Sequence, residues 1–183
     1  MNPSPNLFLI GPMGAGKSSI GRRLAEHFGM PCVDLDAAVE ERTGASVATI
    51  FEIEGEAGFR RRESDLLAEI SAQDGIVLAT GGGAVLAPGN RVLLRERGFV
   101  LWLETDIEQQ LQRLVRDRKR PLLDTPDRRE RLEQLARMRD PVYRELADLA
   151  VPSAGESCAH AAARIAAMLE RHWQRTPATR ESA

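Results

Sequence analysis

The sequence predicts an α/β protein in which a parallel β-sheet is covered by helices on both faces. Short apolar runs of strand length alternate with longer segments whose apolar residues recur at the spacing of amphipathic helices. Strands that alternate with helices imply a parallel sheet whose strands are covered on both faces. At 183 residues, the chain has the size of a single domain with a substantial core.

The predicted sheet consists of five short segments. The first ends at a glycine, the second ends in the sequence DLD, and the fourth contains Trp102, which we expect to lie in the core. The predicted strands are residues 7–10, 31–36, 76–80, 99–103 and 148–152.

Helical patterns fill the intervals between these strands. Ile20, Leu24 and Phe28 recur at four-residue spacing after the first strand, and Gly29 is the predicted C-cap. Pro88, Asp106 and Pro126 mark the starts of three later helices. The later predicted helices cover residues 59–71, 88–97, 106–116, 126–138 and 157–173.

Composition and charge exclude several classes of protein. A formal net charge of -2 gives no global positive field, so we expect neither nucleic-acid nor membrane partners. Cys32 and Cys158 are far apart and lack metal-ligand spacing, which argues against a disulfide framework or a zinc site. The N-terminal apolar run is too short for a signal peptide or a membrane span. A cytoplasmic location is therefore expected.

The junction between the first strand and the first helix contains the pattern of a phosphate-binding P-loop. The segment GPMGAGKSS places Gly11, Gly16, Lys17 and Ser18 in the order G-x-x-x-x-G-K-[ST], between a predicted strand and a predicted helix. Small residues in this turn let backbone N–H groups surround a phosphate at the positive end of the helix dipole. Lys17 is expected to reach the β- and γ-phosphates of a nucleotide, and Ser18 to bind Mg²⁺.

A nucleotide-binding protein of this type needs a phosphate acceptor. The guanine-reading N-K-x-D pattern of GTPase switches does not occur in the sequence, which favours a small-molecule kinase. Asp34 and Asp36 follow the second strand, and strand alternation would direct them to the same side. One carboxylate could hold Mg²⁺ through water, and the other could orient or deprotonate an acceptor hydroxyl.

Two further segments suggest an acceptor that carries a negative charge. FRRRES, residues 59–64, opens a helix with three arginines, of which at least one should face an anionic substrate because arginine binds carboxylates bidentately. Gly81, Gly82 and Gly83 follow the third predicted strand and indicate that something approaches the backbone closely.

Taken together, these segments resemble the shikimate kinases, members of the nucleoside-monophosphate-kinase-like P-loop family. GPMGAGKS, DLD, FRRRE, TGGGAV, RPLL and RMRDPVY occur in that family's order over nearly the whole chain. The resemblance implies a three-layer α/β/α fold with a five-stranded parallel sheet in the order 2-3-1-4-5. It also implies transfer of the γ-phosphoryl group of ATP to the 3-hydroxyl of shikimate, in the route to chorismate and the aromatic amino acids.

The resemblance assigns roles at matching positions. Lys17, Asp36 and Arg120 would be catalytic, and one Mg²⁺ ion would be held by Ser18 and, through water, by Asp34. Shikimate would contact Asp36, Arg60, Arg139 and the glycines 81–83, with Gly82 offering its backbone N–H. The ATP-binding set would be Gly14, Ala15, Gly16, Lys17, Ser18, Ser19, Arg113 and Arg120.

The same resemblance implies how the chain is organised. Residues 1–175 would form one kinase domain, with a substrate-binding region at about 33–62, a mobile lid at about 113–126 and a disordered tail at 176–183. The loop after the last strand, PSAGESCAH, departs from the family's adenine-side pattern. We expect a monomer. Another small-molecule kinase, such as a gluconate kinase, and a nucleotide-binding signalling module remain alternatives.

Overall fold

The fold is described from a computed structural model. It describes residues 3–115, 122, 127–153 and 155–176. Arg120, most of the predicted lid at 113–126 and residues 177–183 of the predicted tail lie outside the described residues. The division of the chain into a substrate-binding region and a lid stays a prediction.

Five parallel strands form one sheet in the order β2-β3-β1-β4-β5, as the resemblance implies. The first strand lies in the middle, between the third and the fourth. The strands are β1 Leu7–Ile10, β2 Cys32–Asp34, β3 Val77–Ala79, β4 Phe99–Glu104 and β5 Leu149–Pro152. The predicted fold class is therefore confirmed.

The helices fill the crossovers between the strands, and the last one follows the fifth strand. Five of the described helices begin directly after a serine or aspartate whose side chain accepts a hydrogen bond from the first turn, as expected of N-caps. They are α1 Lys17–Phe28, α2 Leu35–Thr43, α3 Val47–Ile70, α4 Pro88–Arg97, α5 Ile107–Leu114, α6 Arg128–Leu146 and α7 Cys158–His172.

Alternation along the central strand divides the core between the two faces of the sheet. Phe8 and Ile10 pack with residues of α2, α3, α4 and α6, whereas Leu7 and Leu9 pack with residues of α1 and α7. All four side chains are fully buried. Both faces of the sheet are therefore covered, and Trp102 is buried in the core as predicted.

The prediction of a strand over residues 31–36 is wrong at its end. β2 stops at Asp34, which is the N-cap of α2, and its carboxylate accepts a hydrogen bond from the backbone N–H of Ala37 at 3.2 Å. Asp36 consequently lies in the first turn of α2, so strand alternation does not relate it to Asp34. The sequence pattern missed α2 because, within it, only Leu35 and Val39 are buried.

The prediction for the following helix is also too short. α3 begins at Val47 after the N-cap Ser46, twelve residues before the predicted start at 59, and it contains a break at Gly55. Within the part of the chain that the structure describes, every helix is too short or too polar to cross a membrane.

Candidate active site

The turn between β1 and α1 has the backbone conformation of an anion-binding loop. Gly14 and Gly16 have φ angles of 79° and 88°, in the left-handed region that favours glycine. Gly16 is the N-cap of α1 and has no side chain with which to bind the N–H groups of the first turn. Those groups and the helix dipole are therefore available to a phosphate.

Lys17 is hydrogen-bonded to the backbone of the turn. Its ammonium group donates hydrogen bonds to the carbonyl oxygens of Gly11 and Pro12, each at 2.8 Å. The positive charge therefore lies against the turn that would surround a phosphate.

A cavity of about 290 Å³ lies over this turn. On one side of it the hydroxyl of Ser18 donates a hydrogen bond to Asp34 Oδ2, so the two predicted Mg²⁺ ligands are in direct contact. The predicted site residues that line this cavity are Gly14, Gly16, Lys17, Ser18, Ser19, Asp34, Asp36, Gly82 and Arg113.

A second, larger cavity of about 580 Å³ brings together the residues predicted to bind the acceptor. They come from α2, the second part of α3, the turn after β3, and α6. These residues are Asp36, Arg60, Gly81, Gly82, Gly83 and Arg139. Met13, Val47, Phe51 and Phe59 supply apolar parts of the same wall, so the cavity suits a small ring with a negative charge.

The two cavities share part of their walls. Ser18, Asp34, Asp36 and Gly82 line both of them. A group bound beside the arginines and a phosphate bound over the P-loop would therefore meet at Asp36. This arrangement can support phosphoryl transfer without a long movement of either ligand.

Arg60 and Arg139, which line the larger cavity together with Arg22, differ in their partners. Arg60 donates to Glu63 Oε2 at 2.7 Å and to Glu56 Oε1 at 3.0 Å. Arg139 is only 3% exposed, and its Nε has no hydrogen-bond partner among the described residues. Burial lowers the pKa of Arg139, and the nearby charge of Arg60 contributes in the same direction. An anionic ligand would offset both the burial and the repulsion.

Glu63 is a site residue that sequence reasoning missed. Its side chain is fully buried, its Oε2 accepts the hydrogen bond from Arg60, and its Oε1 has no partner among the described residues. Burial raises the pKa of Glu63, an effect that the charges of Arg60 and Arg139 oppose. Its position three residues after Arg60 on one helix was the available signal, because such residues share a helix face.

Two of the three glycines after β3, Gly81 and Gly83, are explained by the approach of these side chains. A Cβ atom on Gly81 would collide with Glu63 Oε1 and lie 2.8 Å from Asp36 Oδ1. A Cβ atom on Gly83 would overlap the guanidinium of Arg60. Other atoms thus approach the backbone of this turn closely, as inferred from the sequence, and these atoms belong to the side chains of the protein itself.

Gly82 is held by a residue that the sequence analysis did not assign. The hydroxyl of Tyr143 donates a hydrogen bond to the Gly82 carbonyl oxygen, and Tyr143 is fully buried. Tyr143 lies one helical turn after Arg139 on α6, so both residues reach the acceptor side of the sheet. The predicted role of the Gly82 N–H in substrate binding stays a prediction.

A third cavity, of about 210 Å³, lies on the other side of the P-loop and is lined by Ala15 and Arg113 among others. Arg113 donates to the Gly14 carbonyl oxygen at 2.9 Å and to Ser153 Oγ at 2.7 Å. Arg113 therefore connects α5, the P-loop and the loop after β5. Glu156 of that loop lies in the segment that departs from the family pattern, and it forms an ion pair with Arg164 of α7 at 2.6 Å.

Comparison with known proteins decides the family. A family model described as shikimate kinase matches residues 13–170, which is most of the chain. The chain belongs to the shikimate kinase family. A shikimate kinase of Stenotrophomonas maltophilia strain K279a is 52% identical over 179 residues, covering 98% of this chain and 99% of the relative.

Other shikimate kinases agree with this assignment. One from Vibrio cholerae is 53% identical over 167 residues, which cover 91% of this chain and 96% of that one. The solved structure of shikimate kinase from Acinetobacter baumannii in complex with shikimate matches with a TM-score of 0.90 and 43% identity, covering 93% of this chain and 95% of the other.

Proposed function

We propose that this chain is an ATP-dependent kinase that transfers the γ-phosphoryl group of ATP to the 3-hydroxyl of shikimate. The observation that carries the proposal is the cavity in which Arg60 and Arg139 lie together with Asp36, next to the P-loop. Shikimate has one carboxylate and three hydroxyls. Two guanidinium groups suit the carboxylate, and an aspartate at the boundary of the phosphate cavity suits the reacting hydroxyl.

The transfer step then follows from the positions of these groups. The acceptor hydroxyl gives its proton to Asp36, and its oxygen forms the new bond to the γ-phosphorus. The bond between that phosphorus and the bridging oxygen of ADP breaks, and ADP leaves with the electron pair. Lys17 and the first-turn N–H groups of α1 stabilise the negative charge on the phosphate oxygens.

The residues beside the P-loop fit a Mg²⁺ ion. Ser18 and Asp34 present oxygen atoms, the donors that Mg²⁺ prefers, and these atoms are already in contact. Within the described ranges no group of three or more acidic, His or Cys residues is arranged as a metal site, which agrees with an ion held largely by nucleotide phosphates and water. When bound, the ion would neutralise phosphate charge.

Further parts of the proposal come from the resemblance to the family. Arg120 would close over the phosphates, and Arg113 would contact the adenine. We also expect one Mg²⁺ ion per subunit, a monomer, a cytoplasmic location and small-molecule partners only.

The test is ADP formation by the purified full chain, measured with shikimate, with gluconate and with neither acceptor. Turnover that depends on shikimate and does not respond to gluconate is expected. ³¹P and ¹H NMR of the product should show the phosphate at the 3-position. Turnover with gluconate alone would contradict the proposal, and so would ATP binding without turnover for any hydroxy acid in a panel.

A further inference from the structure

Helix α3 is divided at Gly55 into two parts that meet at an angle. Gly55 has φ 70° and ψ 177°, a conformation that is essentially restricted to glycine. The first half of α3 is residues 47–54, and the second half is residues 56–70. A Cβ atom on Gly55 would meet nothing within 4 Å, so the glycine is required by its backbone conformation alone.

Two contacts join the halves across this break. The carboxylate of Glu54 accepts hydrogen bonds from Arg62 Nε at 3.0 Å and from Arg62 Nη2 at 2.7 Å. The rings of Phe51 and Phe59 pack with their centroids 4.9 Å apart. The residues of each pair are eight positions apart, which is about 12 Å along a continuous helix. Both contacts therefore exist only because α3 folds back at Gly55.

Both halves contribute residues to the wall of the acceptor cavity. Val47 and Phe51 of the first half and Phe59 and Arg60 of the second half all line it. The angle at Gly55 consequently sets the distance between the apolar wall and the guanidinium of Arg60. A change in this angle would alter acceptor binding without touching the P-loop.

The ion pair fixes the relative orientation of the two halves of α3. The Phe51–Phe59 contact is apolar and tolerates sliding, whereas an arginine that donates two hydrogen bonds to one carboxylate fixes a relative orientation. The close approach of Glu54 to the second half also requires a glycine at position 58, because a Cβ atom there would collide with the Glu54 side chain.

We propose that Glu54 and Arg62 are a positioning pair for acceptor binding, which hold the first half of α3 over the acceptor cavity at a fixed angle to Arg60. The inference rests on the proposed function, since it concerns the binding of shikimate. Neither side chain lines the acceptor cavity or the cavity over the P-loop. The side chains are 32% and 46% exposed, so loss of the pair should have little effect on global stability.

The test compares Glu54→Gln, Arg62→Gln and the exchanged variant Glu54→Arg with Arg62→Glu in the full chain. Each single variant should raise the KM for shikimate on the order of 2- to 5-fold, the effect of an exposed ion pair. The KM for ATP, kcat and Tm should stay unchanged. The exchanged variant should restore the KM for shikimate to within about two-fold, because it restores the opposite charges.

Glu108→Gln is the matched control. It makes the same chemical change and removes an ion pair of similar length, with Arg129 at 2.6 Å, that is more exposed and does not cross Gly55. Its KM for shikimate should equal that of the wild type. Amide hydrogen exchange in residues 47–54 of the ligand-free protein should be faster in Glu54→Gln and unchanged in Glu108→Gln.

The outcomes separate this inference from the proposed function. A wild-type chain without shikimate-dependent turnover contradicts the proposed function. The positioning pair is contradicted if the wild type turns over shikimate and the single variants leave two quantities unchanged. These quantities are the KM for shikimate and the amide hydrogen exchange rate in residues 47–54. An equal rise in the KM for ATP, or failure of the exchanged variant to restore binding, also contradicts the positioning pair.

Discussion

Arg60 donates a hydrogen bond at 2.7 Å to Glu63, whose carboxylate is fully buried. The second carboxylate oxygen of Glu63 has no partner among the described residues, and Asp36 adds a further negative charge nearby. The guanidinium of Arg60 is thus held in position by the protein's own carboxylates. Burying the carboxylate of Glu63 costs stability in the ligand-free protein.

That cost should appear in the pH dependence of unfolding. Burial raises the pKa of Glu63 above its ordinary value of 4.5, so the folded chain keeps this proton to a higher pH than the unfolded chain. The free energy of unfolding should therefore fall as the pH rises from about 4.5 through the raised pKa. Glutamine does not titrate, so the stability of wild type relative to Glu63→Gln should decline over this range.

Urea unfolding of both proteins between about pH 4 and pH 8 measures this difference. A stability advantage of the wild type that grows with pH would contradict the prediction, since it would mean that the ion pair with Arg60 outweighs burial.

Replacing Arg60 or Arg139 of the acceptor cavity by lysine should weaken acceptor binding selectively. Lysine keeps the charge of Arg60 or Arg139 but loses the bidentate geometry, so the KM for shikimate should rise by about 10- to 100-fold. The KM for ATP should change little. Arg61→Lys, at an exposed position on the same helix, is the control. If steady-state kinetics show a normal KM for shikimate in both cavity variants, other residues must bind the carboxylate of shikimate.

Asp36→Asn should impair the transfer step. The variant keeps the size of the side chain and loses the base, so kcat should fall by on the order of 10² to 10⁴. ATP affinity, measured by titration calorimetry with a non-hydrolysable analogue, should stay close to that of the wild type. Asp34→Asn should instead increase the Mg²⁺ concentration needed for half-maximal rate. The reverse pattern would show that the roles of the two aspartates are exchanged.

Alanine at Gly81 should destabilise the fold, whereas alanine at Gly89 should not. A Cβ atom at position 81 must displace the paired, buried carboxylate of Glu63, which should lower the free energy of unfolding by about 1–3 kcal/mol. Gly89 lies on α4 with open space around it, and alanine there should stabilise by about 0.5 kcal/mol. Equal stabilities of the two variants in urea unfolding would contradict the account of the glycine turn.

The order of the strands and of the helices other than α2 could be predicted because the core strands are apolar and most of the helices have clear caps. The strand order came from the family resemblance alone, since spacing along the chain does not encode which strands become neighbours. The angle at Gly55 was not predictable either. A single glycine within helical surroundings does not reveal that its φ is positive, and the eight-residue contacts appear only in three dimensions.

The place of Lys17 at the phosphate-binding turn was predictable because chemistry and spacing coincide there. Asp36 lies beside the cavities as expected, although it reaches them from the first turn of α2 and not by strand alternation. Glu63 and Tyr143 were missed although both lie in the quoted segments FRRRE and RMRDPVY. A carboxylate beside three arginines suggests a surface ion pair, and a tyrosine on a helix suggests ordinary packing. In the structure Glu63 and Tyr143 are buried and hydrogen-bonded to residues of the site, and neither property can be seen in the sequence.

The hydrogen bonds from Lys17 to the Gly11 and Pro12 carbonyl oxygens make this side chain an internal support of the P-loop. A phosphate bound in the cavity over the loop would lie beside an ammonium group that the loop carbonyl oxygens also use. A variant such as Lys17→Met would remove the loop's support together with the charge. Loss of activity in that variant would therefore have two causes, a disordered loop and the loss of electrostatic stabilisation of the phosphates. Amide hydrogen exchange of the P-loop, measured without nucleotide, would separate them because it reports only on the order of the loop.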